Sequence, residues 1–546
     1  MNLLVDPWLP FKRRDGSQEF LPVTAMVDPD IVDLALPRAD FQGAAYQFLV
    51  GLLQTAMAPE DKSEWVAWYQ TPPSAEACLE MLEKWAPAFV LDSDSPAFMQ
   101  DRDALAEEKA TDIAALLIDS PGASTVKNNT DHFVKAGRVE HLCLDCAAIA
   151  LFTLQINAPS GGKGHRTGLR GGGPLTTLVM PADSTSSLWH RLWLNVLDTE
   201  DWAYERPNPS DAKVFPWLGE TKISDKGQGT YPDDVHVLHS YWAMPRRMRL
   251  NIESTSCACD LCGRHSEYSV SSLRTKNYGF NYDGPWTHPL TPYRFDPKKP
   301  EQLPYSRKAQ TDGLGYRHWE ALTMEDKKEK GFLPARVVLD YALKCDTADD
   351  MDVALPVVAG LWAFGYDMDN MKARCWYGAH MPLLALDEDA RALAQLWLRQ
   401  MIELTDSSAR LLQAQVKEAW FSRPKDAKGD VSYIGASLWQ VTEQAFYQRV
   451  MELGELLRSD TPPQRFPAEM AASWYRTVTR QAASLFDELA LSGPPEQLDM
   501  KRITKARNGF RKKLHTGREA KDLRKIGRLD EKGQPKASRE RQGESA

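Results

Sequence analysis

The stretch 41–57 is apolar almost all the way round, the pattern of a helix buried on every side. A second apolar run, Ala147 to Ile156, begins directly after Cys146 and predicts another buried helix capped by the first Cys-x-x-Cys knuckle. Residues 1–30 read as short extended segments broken by a turn at Arg14-Asp15-Gly16, and residues 60–140 as helical pieces alternating with loops. The segment 158–177, APSGGKGHRTGLRGGGPLTT, carries too much glycine for regular structure. From 190 to 300 the chain is rich in Trp, Pro and turn signals, with strand-like runs at 235–238 and 247–252.

The pattern changes after about residue 385. Leu393, Leu396, Trp397, Met401 and Leu404 recur at helical spacing, as do Phe446, Val450, Leu453 and Leu457. Trp474, Val478, Ala482, Leu485 and Leu489 repeat it, and a weaker fourth stretch holds Ile503, Phe510 and Leu514. Breakers at Gly429-Asp430, Thr461-Pro462-Pro463 and Ser492-Gly493-Pro494-Pro495 separate the segments, which predicts an antiparallel four-helix bundle. Beyond about residue 516 the chain is charged without apolar periodicity, the signature of disorder. The expected fold class is therefore α+β: an irregular mixed domain over 1–384, a four-helix bundle over 385–516, and a basic, disordered tail over 517–546. No internal repeat is evident.

Bulk composition narrows the class. The 546 residues are 43% hydrophobic and 26% charged, ordinary globular material with room for more than one core. The first residues lack a basic n-region, so no signal peptide is expected. The longest uncharged apolar stretch, 353–366, is shorter than the ~20 residues a spanning helix requires, so a cytoplasmic protein with no membrane contact is expected. The net charge of -9 is uneven, because residues 501–546 hold 16 Lys/Arg against 6 Asp/Glu. An acidic body with a basic tail suits a subunit whose nucleic-acid partner is held mostly by other chains.

Candidate chemistry centres on the cysteines. Cys143 and Cys146 form one Cys-x-x-Cys pair, and Cys259 and Cys262, followed by Gly263, form another. Four thiolates at knuckle spacing suit one tetrahedral, closed and hence structural zinc, with Cys257, His141 and His265 near enough to compete. The loop Ser160, Gly161, Gly162, Lys163, Gly164 lacks the order of a phosphate-gripping P-loop, and composition alone makes it a flexible loop that could approach another surface closely. Lys276, just past the second pair, and Asp369 with Asn370 read in isolation as a surface charge and a turn. No metalloprotease, nucleophile-elbow or paired-carboxylate pattern is present, so an enzyme is not expected.

Taken together, the motifs resemble the CasA family, the large subunit of the type I-E CRISPR surveillance complex (Cascade). The likeness is carried by Asn2 to Pro10, by Leu36-Pro37-Arg38, and by Pro96 to Gln100. It continues through Gly168 to Thr177, Gly284 to Pro289 and Glu443 to Gln448, and runs through residues 1–510 but not the tail. The resemblance implies a non-catalytic subunit that inspects the protospacer-adjacent motif (PAM) of double-stranded DNA from the minor groove while guide pairing reads the sequence. It further implies a start to strand separation and R-loop formation, and help in recruiting a nuclease-helicase.

By the same resemblance Lys276 is the lysine finger in the minor groove, and Ser160, Gly161, Gly162, Lys163 and Gly164 approach that groove by their backbone. Asn370, with Asp369, falls at the wedge that props the duplex open, and Phe133-Val134 at a loop facing the RNA 5′ handle. Cys143, Cys146, Cys259 and Cys262 are the expected zinc ligands. Expected partners are the crRNA-containing backbone, handle-binding and small subunits, target DNA and the nuclease-helicase, with one copy of this chain per complex. Lys163 interrupts the glycine loop, and Asn370 stands where the family often has glutamine. The alternative readings are a zinc-clamped RNA-binding scaffold or a nucleotide-using enzyme with its phosphate site in the 158–177 loop.

Overall fold

The computed structural model describes residues 1–535 apart from 133, 163, 312, 356, 357, 370, 427, 493–497 and 532. It divides into two compact units, Met1–Thr311 with Glu325–Leu383, and Asp312–Met324 with Leu384–Ala546. Small antiparallel sheets and helices share the first unit, and helices dominate the second.

The first unit is built round the helix Ala39–Ala56, in which 15 positions are buried from Asp40 to Thr55. Phe48 explains why this helix is apolar on every side. Its ring meets Trp8, Phe89, Phe98, Phe152 and Trp242 edge-on, at centroid distances of 5.5 to 6.0 Å. Such edge-to-face contacts add about 0.5–1.5 kcal/mol each beyond burial, so one phenyl ring organises several chain segments. The helix Leu144–Asn157 packs alongside, with every residue but Asp145 buried. Gln54, fully buried, answers the backbone of Leu197 with both ends of its amide, at 2.8 Å each.

Two of the sheets position the candidate site. Strand Ser269–Lys276 pairs antiparallel with Arg247–Glu253, placing Lys276 opposite Arg247 at the sheet's end. Strand Thr176–Met180, the continuation of the glycine-rich segment, pairs antiparallel with Val358–Asp369. That strand and Lys372–Leu384 form a long hairpin, so the apolar stretch is sheet from Val358 onward. The strand-like run at 235–238 is not a strand. Val237–Tyr241 is a 3-10 helix, started by the His236 ring accepting from Leu238 N at 3.1 Å just after the turn at Pro232.

Two buried histidines predict an acid sensitivity for this unit. His239 bridges the Lys213 carbonyl (3.1 Å) and the Tyr282 hydroxyl (2.8 Å), and burial pushes its pKa down to about 4. His288 is also buried and held well below the ordinary range, by burial first and then by Arg170. Unfolding restores the ordinary imidazole value near 6.5, so below that pH the unfolded chain binds protons that the fold refuses. Stability should therefore fall with acid by about 1.4 kcal/mol per pH unit for each such histidine. Thermal unfolding between pH 7 and 5.5 checks this, and His239→Gln should flatten the dependence.

In the second unit, Glu388–Trp420 is one helix of 33 residues, and Ser432–Leu457, Ala468–Ala490 and Met500–Thr516 each pack against it. Indole donors bridge the helices: Trp474 Nε1 to the Met401 carbonyl at 3.0 Å, and Trp420 Nε1 to the Leu489 carbonyl at 2.9 Å. Asp312–Met324 joins this unit rather than the first, with Tyr316 stacked on Phe446 (4.3 Å) and its hydroxyl on Thr442 (2.8 Å). The expectation of a disordered tail from 517 fails over its first part. Arg518–Ile526 is a helix, with Ala520 and Leu523 buried, and Leu529 buried just beyond it. Two apolar residues three apart suffice to seat one short helix against Ala468–Ala490, but they are too few to show as periodicity among so many charges.

Candidate nucleic-acid interface

The glycine-rich segment is held at defined points. Gly168 N donates to the Ala158 carbonyl (2.9 Å) and Gly173 N to the Asn157 carbonyl (3.1 Å), folding the segment back on the helix it leaves. Arg170, wholly buried, donates to Gln47 (2.7 Å) and to the hydroxyls of Thr176 and Thr291 (3.1 Å each), and burial pushes its pKa down to about 10. A buried guanidinium satisfied by neutral acceptors fixes where the loop begins and ends.

The loop tip leans on the Lys276 strand. Gly164 has φ +81° and accepts from Tyr278 N at 2.7 Å, and a Cβ there would lie 2.7 Å from Asn277 Cβ. Only glycine allows that approach. Arg166 lies over the Tyr278 ring at 5.7 Å and donates to Ser224 Oγ at 2.8 Å. Gly161 faces Arg246, whose guanidinium donates to the Pro159 carbonyl and would stand 2.8 Å from a Cβ. Ser160, Gly161 and Gly162 are exposed.

Lys276 is 43% exposed at its side chain and pairs with Glu108 at 3.4 Å. A half-exposed pair is worth about 0–1 kcal/mol, so a phosphate or base acceptor can displace the carboxylate. Glu108→Gln should therefore raise the duplex affinity of the assembled complex by a few fold, seen as an upward shift in anisotropy at low salt.

At its other end the segment meets the long hairpin. A Cβ on Gly173 would stand 2.6 Å from Met368 Cγ, and the Gly365 backbone lies against Pro174. Asp369 is exposed at the hairpin tip, and Arg374 pairs with Asp367 (2.7 Å) and more loosely with Asp369 (3.8 Å). Segment 158–180 thus links the Lys276 strand and the hairpin tip through contacts only glycines permit.

The four cysteines come together as a closed cluster. Cys143, Cys146, Cys259 and Cys262 offer sulfurs all within 4.8 Å of one another, three of the residues buried. Cys143 Sγ and Cys262 Sγ are 3.8 Å apart, close to the edge of a tetrahedron with metal–sulfur bonds of about 2.3 Å. The donor set and spacing fit a structural zinc. Cys257 Sγ points instead at the Tyr268 carbonyl (3.7 Å), and His141 Nδ1 bonds Ser269 Oγ (3.1 Å), so neither joins the cluster. Cys143 caps the helix Leu144–Asn157 by accepting from Cys146 N. Asp260 accepts from Glu140 N (2.7 Å) and His141 N (2.8 Å), which ties the two knuckles together beside the sulfurs. Among the described residues a second cluster, of Asp198, Asp201 and Asp340, is paired with Lys62 and Lys344.

The family model for CRISPR-associated protein Cse1 matches residues 2–485, which takes in every element described here as far as the helix Ala468–Ala490. The chain belongs to the Cse1 family. Solved Cse1-type structures share its fold across nearly the whole length. CasA of Thermus thermophilus is 16% identical with a TM-score of 0.68, covering 96% of this chain and 99% of that one. Thermobifida fusca Cse1 is 16% identical at 0.66, over 96% and 98%. A chain of a CRISPR RNA-guided surveillance complex is 17% identical at 0.65, over 94% and 99%.

In this Cse1-family chain the structure sets Gly164 against Asn277 and Tyr278, just past the Lys276 strand, and brings the four cysteines together, while Ser160, Gly161 and Gly162 are exposed and make no contact with that strand. Lys163, Asn370 and Phe133 lie outside the described residues. Val134 is half-buried in the loop ahead of the first knuckle. Sequence reasoning missed Glu108, Arg166 and the Asn277-Tyr278 contact. Tyr278 was visible beside Lys276, but its positive φ of 65° and its bond to Gly164 depend on tertiary placement. Among the described residues no helix is long and apolar enough to cross a membrane.

Proposed function

We propose that this chain is the non-catalytic large subunit of a type I-E RNA-guided complex. It reads the protospacer-adjacent motif of duplex DNA from the minor groove, starts strand separation and R-loop formation, and helps recruit the nuclease-helicase. The observation that carries this reading is the bond from Tyr278 N to the Gly164 carbonyl, which ties the strand of the exposed Lys276 to a loop whose Gly161 and Gly162 are exposed. A side chain that donates and a backbone without Cβ atoms are what a narrow, donor-poor groove admits. Asn370, with Asp369, would act as the wedge, a reading supported by the contact of Gly173 with Met368 beside Asp369.

Cys143, Cys146, Cys259 and Cys262 would hold a structural zinc, whose chemistry is to lock the two knuckles without an open coordination position. The second unit's helices would form the bundle that lies along the opened DNA and the small subunits. One lysine and a few backbone contacts offset only part of the few kcal/mol that opening a base step costs. Guide pairing and the other subunits supply the rest, so the chain alone should bind the motif weakly.

Reconstitution tests the role. A guide-loaded complex lacking its large subunit is mixed with this chain, and its affinity for matched duplex is measured with intact or scrambled motif. Binding restored only to the intact motif supports the reading, and binding indifferent to the chain overturns it.

A further inference from the structure

Residues beyond the family match build a strongly basic surface. The helices Met500–Thr516 and Arg518–Ile526 follow the matched segment, which ends at 485. Between residues 500 and 528 the chain holds 12 Lys/Arg against 2 Asp/Glu, in a protein of net charge -9.

Packing determines which way these charges face. Ile503, Ala506, Phe510 and Leu514 are buried, and the Phe510 ring stacks on Phe486 at 5.0 Å. Arg502 and Arg507 are engaged within the protein. Arg502 donates to the carbonyls of Ala419 (2.9 Å) and Trp420 (3.1 Å), and Arg507 pairs with Asp487 (2.5 Å). Opposite the buried face, Lys501, Lys505 and Lys512 are exposed at helical spacing and have no ion pair among the described residues. Over a rise of about 1.5 Å per residue, this ridge extends roughly 16 Å. On the next helix Ala520 and Leu523 are buried, while Lys521 and Lys525 are exposed and likewise without an ion pair among the described residues.

The geometry points to a docking surface for the phosphate backbone of double-helical DNA on these two helices. Lysine ammoniums are hydrated point charges, and a row of them spaced along an exposed helix face can follow a line of phosphates. A ridge of roughly 16 Å matches about five base pairs at 3.4 Å each. Single strands are held by exposed rings on which bases stack, and this surface has none: Phe510 is fully buried and His515 half-buried. The surface is a second contact, separate from the Lys276 strand and independent of motif reading.

Anisotropy titrations of the full chain with a duplex of random sequence, across a range of salt, test the assignment. Each neutralised phosphate contributes about 0.9 to the slope of log K against log salt. The variant Lys501→Gln/Lys505→Gln/Lys512→Gln should lower that slope by about 2 to 3, and Lys521→Gln/Lys525→Gln by about 1 to 2. A charge-matched change at the exposed Lys298, Lys299 and Lys328 should leave it unaltered. A ridge variant with the parental slope, or one no different from its charge-matched control, overturns the assignment. So does tighter binding of a single strand than of the duplex of equal length.

Discussion

Cys146→Ser should leave the chain without stoichiometric zinc and lower its stability by roughly 3–5 kcal/mol, the upper range for a single substitution. Serine offers no thiolate, and three remaining sulfurs cannot close a tetrahedral site. The damage should not spread to full unfolding. The knuckles are also joined by Asp260 on the backbone of Glu140 and His141, by the Leu142–Val270 bridge (2.9 and 3.1 Å), and by Arg264 on Asp145 (2.7 Å). Metal content by mass spectrometry, with thermal melting before and after a chelator, reads both effects. Cys257→Ser is the matched comparison, since its sulfur lies outside the cluster. Zinc retained in Cys146→Ser, or lost from Cys257→Ser, contradicts the assignment of ligands.

Gly164→Val should abolish motif discrimination, by tenfold or more, while binding driven by guide pairing persists. Valine at φ +81° is strained, at a cost of about 1–3 kcal/mol, and its Cβ would press on Asn277 at 2.7 Å and Tyr278 at 3.0 Å. The loop and the Lys276 strand must then separate. Gly162→Val isolates the contact from the strain, because Gly162 has φ +89° but nothing within 4 Å of a Cβ. The two variants share backbone strain and differ in the neighbour they displace. Equal losses in both would show that loop conformation, and not its seat on Asn277-Tyr278, sets discrimination.

Much of this was legible in the sequence where the signal is local. Helical periodicity located the long helices of the second unit, and Cys-x-x-Cys spacing identified the four sulfurs that meet. What stayed hidden depends on tertiary placement. Glu108 gains meaning only because folding sets it beside Lys276, and Arg170 only because neutral acceptors from separate segments surround it. Tyr316 joins the second unit through ring contacts with Trp439, Phe446 and Trp474 that no spacing announces. The helix Arg518–Ile526 escaped notice because Ala520 and Leu523 are a weak apolar pattern in a charged run, yet a receptive helix face is enough to order it.

The most direct test is Lys276→Ala in the guide-loaded complex, with duplex affinity measured for intact and scrambled motif. Removing the ammonium leaves the strand pairing with Arg247–Glu253 in place, so the fold should survive. Motif reading by this strand predicts that the variant binds both duplexes alike, at the level the parent shows for the scrambled motif. A variant that keeps the parent's full preference for the intact motif would contradict it.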